Sequence, residues 1–107
     1  MFYTFGFIME KDLELIELFE LYQGLLTQKQ RELFSAYYLF DLSLSEIAEP
    51  QGTTRQSVHE AVKKVKNKLN EYEKLLKLKD KTDALRALAI QMEDVAFSEK
   101  ILEIIGR

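Results

Sequence analysis

From Val58 to Leu78 the apolar residues are Val58, Ala61, Val62, Val65, Leu69, Tyr72, Leu75, Leu76 and Leu78, mostly three or four apart, with no glycine or proline among them. Only an α-helix gathers such positions into one stripe. The pattern predicts one long helix that starts at Thr53 or Thr54 and meets no breaker until about Lys79. At ~1.5 Å per residue it would be roughly 40 Å long. A rod of that length with a continuous apolar stripe obliges the rest of the chain to pack along it.

The segments on either side read as helices too. Residues 11–24 carry Leu15, Ile16, Phe19 and Tyr22 on one face and Glu10, Glu14 and Glu17 as an acidic stripe, with Gly24 as the stop. Thr27 begins a second helix, and Gln30 completes a capping box. Leu33, Phe34, Tyr37, Tyr38 and Phe40 give this helix an aromatic inner side, better suited to a core than to base stacking. After the short Asp41-Leu42 connection, Ser43 caps a third helix with Glu46 at the capping-box position. Pro50 restricts the residue before it and should end that helix near Glu49. Asp80-Lys81 breaks the long stripe. Thr82 then caps a fifth helix with Leu85, Leu88, Ala89, Met92 and Val95, and Ser98 caps a last one with Ile101, Leu102, Ile104 and Ile105. No alternating strand pattern or hairpin turn occurs. The fold class is all-α, a single helical domain over residues 1–107.

The third and fourth helices have the layout of a helix-turn-helix over residues 43–67. Ile47 and Ala48 end the first helix, where a small residue lets a second helix cross closely. Gly52 follows four residues after Ala48, where a tight turn favours positive φ. Thr53-Thr54 supplies a cap. Val58 and Val62 face inward, leaving Arg55, Gln56, His59 and Lys63 outside.

Charge follows the same division. The net charge of −3 does not suggest a nucleic-acid binder. Residues 1–52 hold three Lys/Arg and nine Asp/Glu, residues 53–81 hold nine and four, and residues 82–107 hold three and five. Positive charge is thus concentrated on the fourth helix. Arg55, Lys63, Lys64, Lys66 and Lys68 read either as a solvated face or as a nucleic-acid face, and the turn just upstream favours the second. On that reading Lys63, Lys64 and Lys66, with Lys29 and Arg31 at the second helix start, hold phosphates. Arg55, Gln56 and His59 face base edges.

Other chemistry finds little support. There is no cysteine, which excludes disulfides and thiolate metal sites and fits a reducing cytoplasm. His59 is the one histidine, so zinc has no ligand set. Neither a phosphate loop nor a nucleophile–base–acid grouping is legible. The expectation is a non-enzyme with no cofactor and no metal. The N-terminal run from Met1 to Met9 is apolar but too short to span a bilayer, and it lacks the basic start of a signal peptide. Residues 1–8 read as an added segment before a start at Met9, or as a strand or loop packed on the domain. The apolar surface of the fourth and fifth helices exceeds what a small core covers. It suggests an antiparallel fold-back or a homodimer.

Four stretches carry a family resemblance. They are Leu26-Thr27-Gln28-Lys29-Gln30-Arg31, Tyr37 through Glu49, and Arg55-Gln56-Ser57-Val58 followed by Leu69-Asn70-Glu71-Tyr72-Glu73. Together they resemble the YlxM family of small bacterial proteins, from about Met9 to about Leu78. The segment from Ser43 to Leu69 is in turn similar to the promoter-reading region four of sigma factors. The resemblance implies a sigma-like helix-turn-helix without a wing, with Arg55, Gln56 and His59 at the base-contacting positions. It also implies a regulatory DNA-binding role, or contact with RNA or the GTPase, in the signal recognition particle pathway, because the family's genes neighbour that of the particle's GTPase. The sequence departs from the family pattern at Pro50, Gln51 and Thr53, where a helix-continuing residue, an aromatic and a β-branched aliphatic are usual. That departure removes about 2–4 kcal/mol of packing between the two helices and implies a reshaped turn.

Overall fold

The structure, a computed structural model, describes residues Glu10 to Gly106, and the side chains from Asp12 onward. The expectations for residues 1–8 and for a start at Met9 lie outside the described residues. Among the described residues there are six α-helices and no strand: α1 Glu10–Tyr22, α2 Gln28–Phe34, α3 Leu44–Gln51, α4 Arg55–Leu76, α5 Leu78–Gln91 and α6 Val95–Ile105. The chain divides between Leu75 and Leu76 into two compact units.

In the first unit α4 is the spine. Val58, Val62, Val65 and Leu69 are its buried residues, in the expected steps of four and three. They serve two cores. Val65 and Leu69 join Leu15, Ile16, Leu18, Phe19, Tyr22, Leu26 and Phe34. Val58 and Val62 join Ile47 and Ala48 of α3. Leu33 and Tyr38 pack against both clusters, so the two cores share a wall. A chain of rings runs along it. Phe19 stacks on Phe34 at 4.2 Å, Phe34 meets Tyr38 at 4.7 Å, and Tyr37 stands edge-on to Tyr38 at 5.0 Å. Such offset and edge contacts add to the burial of each ring.

The caps at Thr27 and Ser43 form as expected. Thr27 Oγ1 accepts from Gln30 N while Gln30 Oε1 accepts from Thr27 N, and Ser43 and Glu46 do the same. Several boundaries differ from the sequence reading. Beyond Phe34 the second helix widens into a π turn, Ser35–Leu39, closed by Phe40 N donating to Ser35 O at 2.9 Å. The extra residue per turn rotates the chain, so Phe40 points outward at 61% exposure instead of lining the core. Gly24 lies in a 3-10 turn, Gln23–Leu25, with no positive φ. α3 runs through Pro50 to Gln51: proline's fixed φ is helical, and the helix continues although Pro50 has no N–H to give to Glu46 O.

α4 stops at Leu76, three residues short of the expected end, where Lys77 takes φ 55° and α5 begins at once. At ~1.5 Å per residue it is about 33 Å long. Its stripe is buried only to Leu69, with Tyr72 half-buried and Leu75 and Leu76 exposed. In the second unit, Thr82 is not a cap but a mid-helix residue whose hydroxyl donates to Leu78 O and Lys79 O. Asp94, not Ser98, caps α6 by accepting from Phe97 N at 3.2 Å, and Ser98 Oγ instead donates to Ala89 O at 2.7 Å, pinning α6 to α5.

Candidate nucleic-acid interface

The turn between α3 and α4 spans Gly52, Thr53 and Thr54. Gly52 has φ 65°, the left-handed geometry that a helix end uses to reverse its chain. Gly52 N donates to Glu49 O at 3.1 Å and Thr53 N to Ala48 O at 3.2 Å, the paired bonds of a Schellman closure. Thr54 then caps α4, its Oγ1 accepting from Ser57 N at 3.0 Å. A regular turn survives with Pro50, Gln51 and Thr53 in place. These three residues line an open groove of about 600 Å³ together with Lys29, Ile47, Ser57 and Val58.

With Val58, Val62, Val65 and Leu69 fixed inward, helix geometry at about 100° per residue sorts the outer residues of α4. Arg55, Gln56, His59, Lys63, Lys66, Asn67 and Asn70 fall in one sector roughly 120° wide. All seven are exposed. From Arg55 to Asn70 the sector contains no carboxylate, and the first turn of α4 has no acidic residue; Glu73 enters the same sector only farther along the helix. The helix N-terminus adds partial positive charge at the same end. Gln56 Nε2 donates to Glu60 Oε1 at 3.1 Å, which turns its amide toward the sector's edge. Among described residues, Arg55, His59, Lys63 and Lys66 make no ion pair or side-chain hydrogen bond.

The eight residues expected to touch nucleic acid therefore divide. Arg55, Gln56, His59, Lys63 and Lys66 stand together on this face. Lys64 projects about 100° away from Lys63, among Ser57, Glu60 and Glu71. Lys29 lies at the groove, on the side of Ser57. Arg31 is half-buried, and its Nη1 donates to Leu26 O at 2.6 Å and Gln23 O at 3.2 Å. It clamps the 3-10 turn that follows α1, where Gln23 O also accepts from Leu26 N at 3.1 Å. Asn67 and Asn70 were not singled out from the sequence, although their spacing from Lys63 and Lys66 places them on the same face. Their amides can donate and accept toward phosphates or base edges.

Among the described residues no group of three His, Asp or Glu is arranged to hold a metal ion. Nor is any helix among them long and apolar enough to cross a membrane.

Comparison with known proteins agrees with the turn and its helices. Residues 9–105 match the model of a family described as "Putative helix-turn-helix protein, YlxM / p13 like". The chain is 38% identical over 96 residues to a UPF0122 protein of Shouchella clausii, covering 90% of this chain and 88% of that one. It is 37% identical over 102 residues to a UPF0122 protein of Halalkalibacterium halodurans, covering 92% and 94%. A UPF0122 protein of Bacillus cereus strain AH187 is 41% identical over 93 residues, covering 87% and 84%. No solved structure matches. The chain belongs to this helix-turn-helix family.

Proposed function

We propose that this member of the helix-turn-helix family is a DNA-binding regulatory protein that lays the first turns of α4 in the major groove. One observation carries the reading. A sector of α4 that is exposed, cationic and free of carboxylates from Arg55 to Asn70 begins at the helix N-terminus, directly after the turn, where groove-reading helices present their side chains. Arg55, Gln56 and His59 face base edges, since arginine suits guanine and glutamine suits adenine. Lys63 and Lys66 hold phosphates, which fix position without selecting sequence. Lys29, Arg31 and Lys64 lie off that face and act through their field, as attraction at a distance.

The protein works in the cytoplasm as a homodimer, without enzymatic chemistry and without a cofactor. The signal recognition particle pathway is the process it regulates. That part rests on the family resemblance alone. A labelled duplex of mixed sequence, titrated with protein at low salt and followed by fluorescence anisotropy, tests the DNA reading. Saturable binding that weakens with salt supports it, and no binding to any duplex overturns it.

A second reading gives the same pathway a different contact, the particle's RNA or its GTPase. Glu14 and Glu20 favour it, as exposed carboxylates on α1 of the unit that carries the cationic face. Recovery of neither component in a pull-down from a bacterial lysate counts against it.

A further inference from the structure

The second unit, Leu76–Arg107, is a hairpin of α5 and α6. It falls below the roughly 40 residues at which a segment usually needs oligomerisation or another staple to hold together. Among its described residues only Ala89 is buried. The contact between its helices is made by Ala89, with Ser98 bonded to its carbonyl. Taking Ala89 and Ser98 as the facing direction, helix geometry divides the remainder between two sides of the hairpin. One side carries Lys79, Asp83 and Arg86, joined by ion pairs of 2.7 Å and 3.3 Å. The other carries Leu85 and Leu88 from α5 with Phe97, Ile101 and Ile104 from α6. On it Leu88 is 57%, Phe97 59% and Ile104 84% exposed. The other side holds the paired charges with Ile90 and Val95 among them, so the run of five apolar side chains is the more continuous apolar face and the one suited to being covered.

We propose that this apolar side of the α5–α6 hairpin is the homodimer interface, meeting the same side of a second copy to form a four-helix bundle. The proposal gives a location to the homodimer named above and owes nothing to DNA binding. Two observations point to a second copy. The first is charge. Lys81 is the one charged residue that helix geometry places on the apolar side of α5, at the open end of the hairpin, while Glu93 and Asp94 sit at its turn. With two copies antiparallel about a two-fold axis, the open end of each lies over the turn of the other. Lys81 of one copy then meets Glu93 and Asp94 of the second, twice over. A single sequence thus supplies both halves of the match, as an isologous contact requires. The second is area. Two helices about 10 Å apart, one about 21 Å and the other about 17 Å long, offer roughly 400 Å² in flat projection per copy. Two corrugated copies approach the ~1,000 Å² of a specific interface.

The test is sedimentation equilibrium on the full chain across the micromolar range, with two variants. The wild type sediments as a dimer. Leu88→Glu raises the dissociation constant about thirtyfold or more, while Ile90→Glu, equally polar but on the charged side, leaves it unchanged. Because Leu88→Glu could disturb the hairpin itself, Phe97→Cys supplies a second measurement. The chain has no cysteine of its own, so a short bismaleimide joins two copies through Phe97→Cys and fails to do so through Ile90→Cys. A monomeric wild type overturns the homodimer altogether. A wild-type dimer that survives Leu88→Glu, or that crosslinks through Ile90→Cys but not Phe97→Cys, leaves the homodimer standing and overturns this interface.

Discussion

The phenol of Tyr22 donates a 2.6 Å hydrogen bond to the carboxylate of Glu73, joining α1 to the far part of α4 across 51 residues of sequence. Tyr22 is almost wholly buried, so the bond is made at the edge of the main core. Glu73 is the first carboxylate of α4 to fall on the side that carries Arg55 and Lys66. The bond to Tyr22 holds that carboxylate against α1. Tyr22→Phe keeps the ring packing and removes only the donor. It should lower stability by about 1–3 kcal/mol, as expected for a bond to a charged acceptor. Thermal unfolding by circular dichroism checks this, and an unchanged midpoint would show the bond to be idle.

At Gly52 a Cβ would meet nothing within 4 Å, yet φ is 65°. Space is therefore no obstacle there, and the backbone alone sets the cost of a side chain. Gly52→Ala should destabilise by about 1–2 kcal/mol, the ordinary penalty of left-handed geometry for an L-residue. Gly52→Asn should cost less, because asparagine tolerates that region. Chemical denaturation of the two variants gives the order directly.

The helix-turn-helix and the helix before it were legible in the sequence because capping and spacing are local. Thr27 with Gln30, Ser43 with Glu46, and Gly52 after Ala48 each do what their residue types dictate within a few positions. What sequence did not reveal depended on packing. The π turn at Ser35–Leu39 has no residue signature, and its extra residue turned Phe40 outward. Lys77 carries left-handed geometry with neither glycine nor proline to announce it, so the end of α4 was placed too late. At α6 two capping residues competed, and Asp94 was passed over for Ser98. On the candidate face, the stripe of inward valines was enough to put Arg55, His59 and Lys63 together. It also separates Lys64 from them, a division visible only once each lysine is set on the helix rather than counted. Arg31 could not be read as a turn clamp, because the carbonyls that it binds belong to the preceding turn.

Stability should depend on acidity at one cap. Hydrogen bonds from the Ser43 backbone and hydroxyl hold the Glu46 carboxyl below the usual carboxylate range. A depressed folded pKa means that the unfolded chain binds the proton more readily. The stabilisation is present above the unfolded pKa and is lost as pH falls through the folded one. Glu46→Gln keeps the side-chain acceptor and removes this titration. The wild type should therefore lose more stability than the variant on going from neutral to acidic pH, measured by urea unfolding at matched salt. Equal losses would show that the cap contributes nothing through its charge.

The opposite sign holds for Tyr38. Burial first, then the Asp12 carboxylate and Tyr37, push its phenol above the ordinary tyrosine value. Its contribution is present below the unfolded pKa and is lost as pH rises through the folded one. Ultraviolet titration of Tyr38→Phe should lack a late-ionising tyrosine that the wild type shows.

The central claim is that one face of α4, and not its lysines at large, meets DNA. Its most direct test is the salt dependence of duplex binding for the wild type, Lys63→Ala and Lys64→Ala. Each phosphate contact contributes about −0.9 to the slope of log affinity against log salt. Lys63→Ala should make the slope shallower by about that amount, while Lys64→Ala, which stands beside Glu60 and Glu71, should leave it nearly as it was. Equal effects of the two substitutions, or a wild type with no affinity for duplex DNA at low salt, would contradict the account.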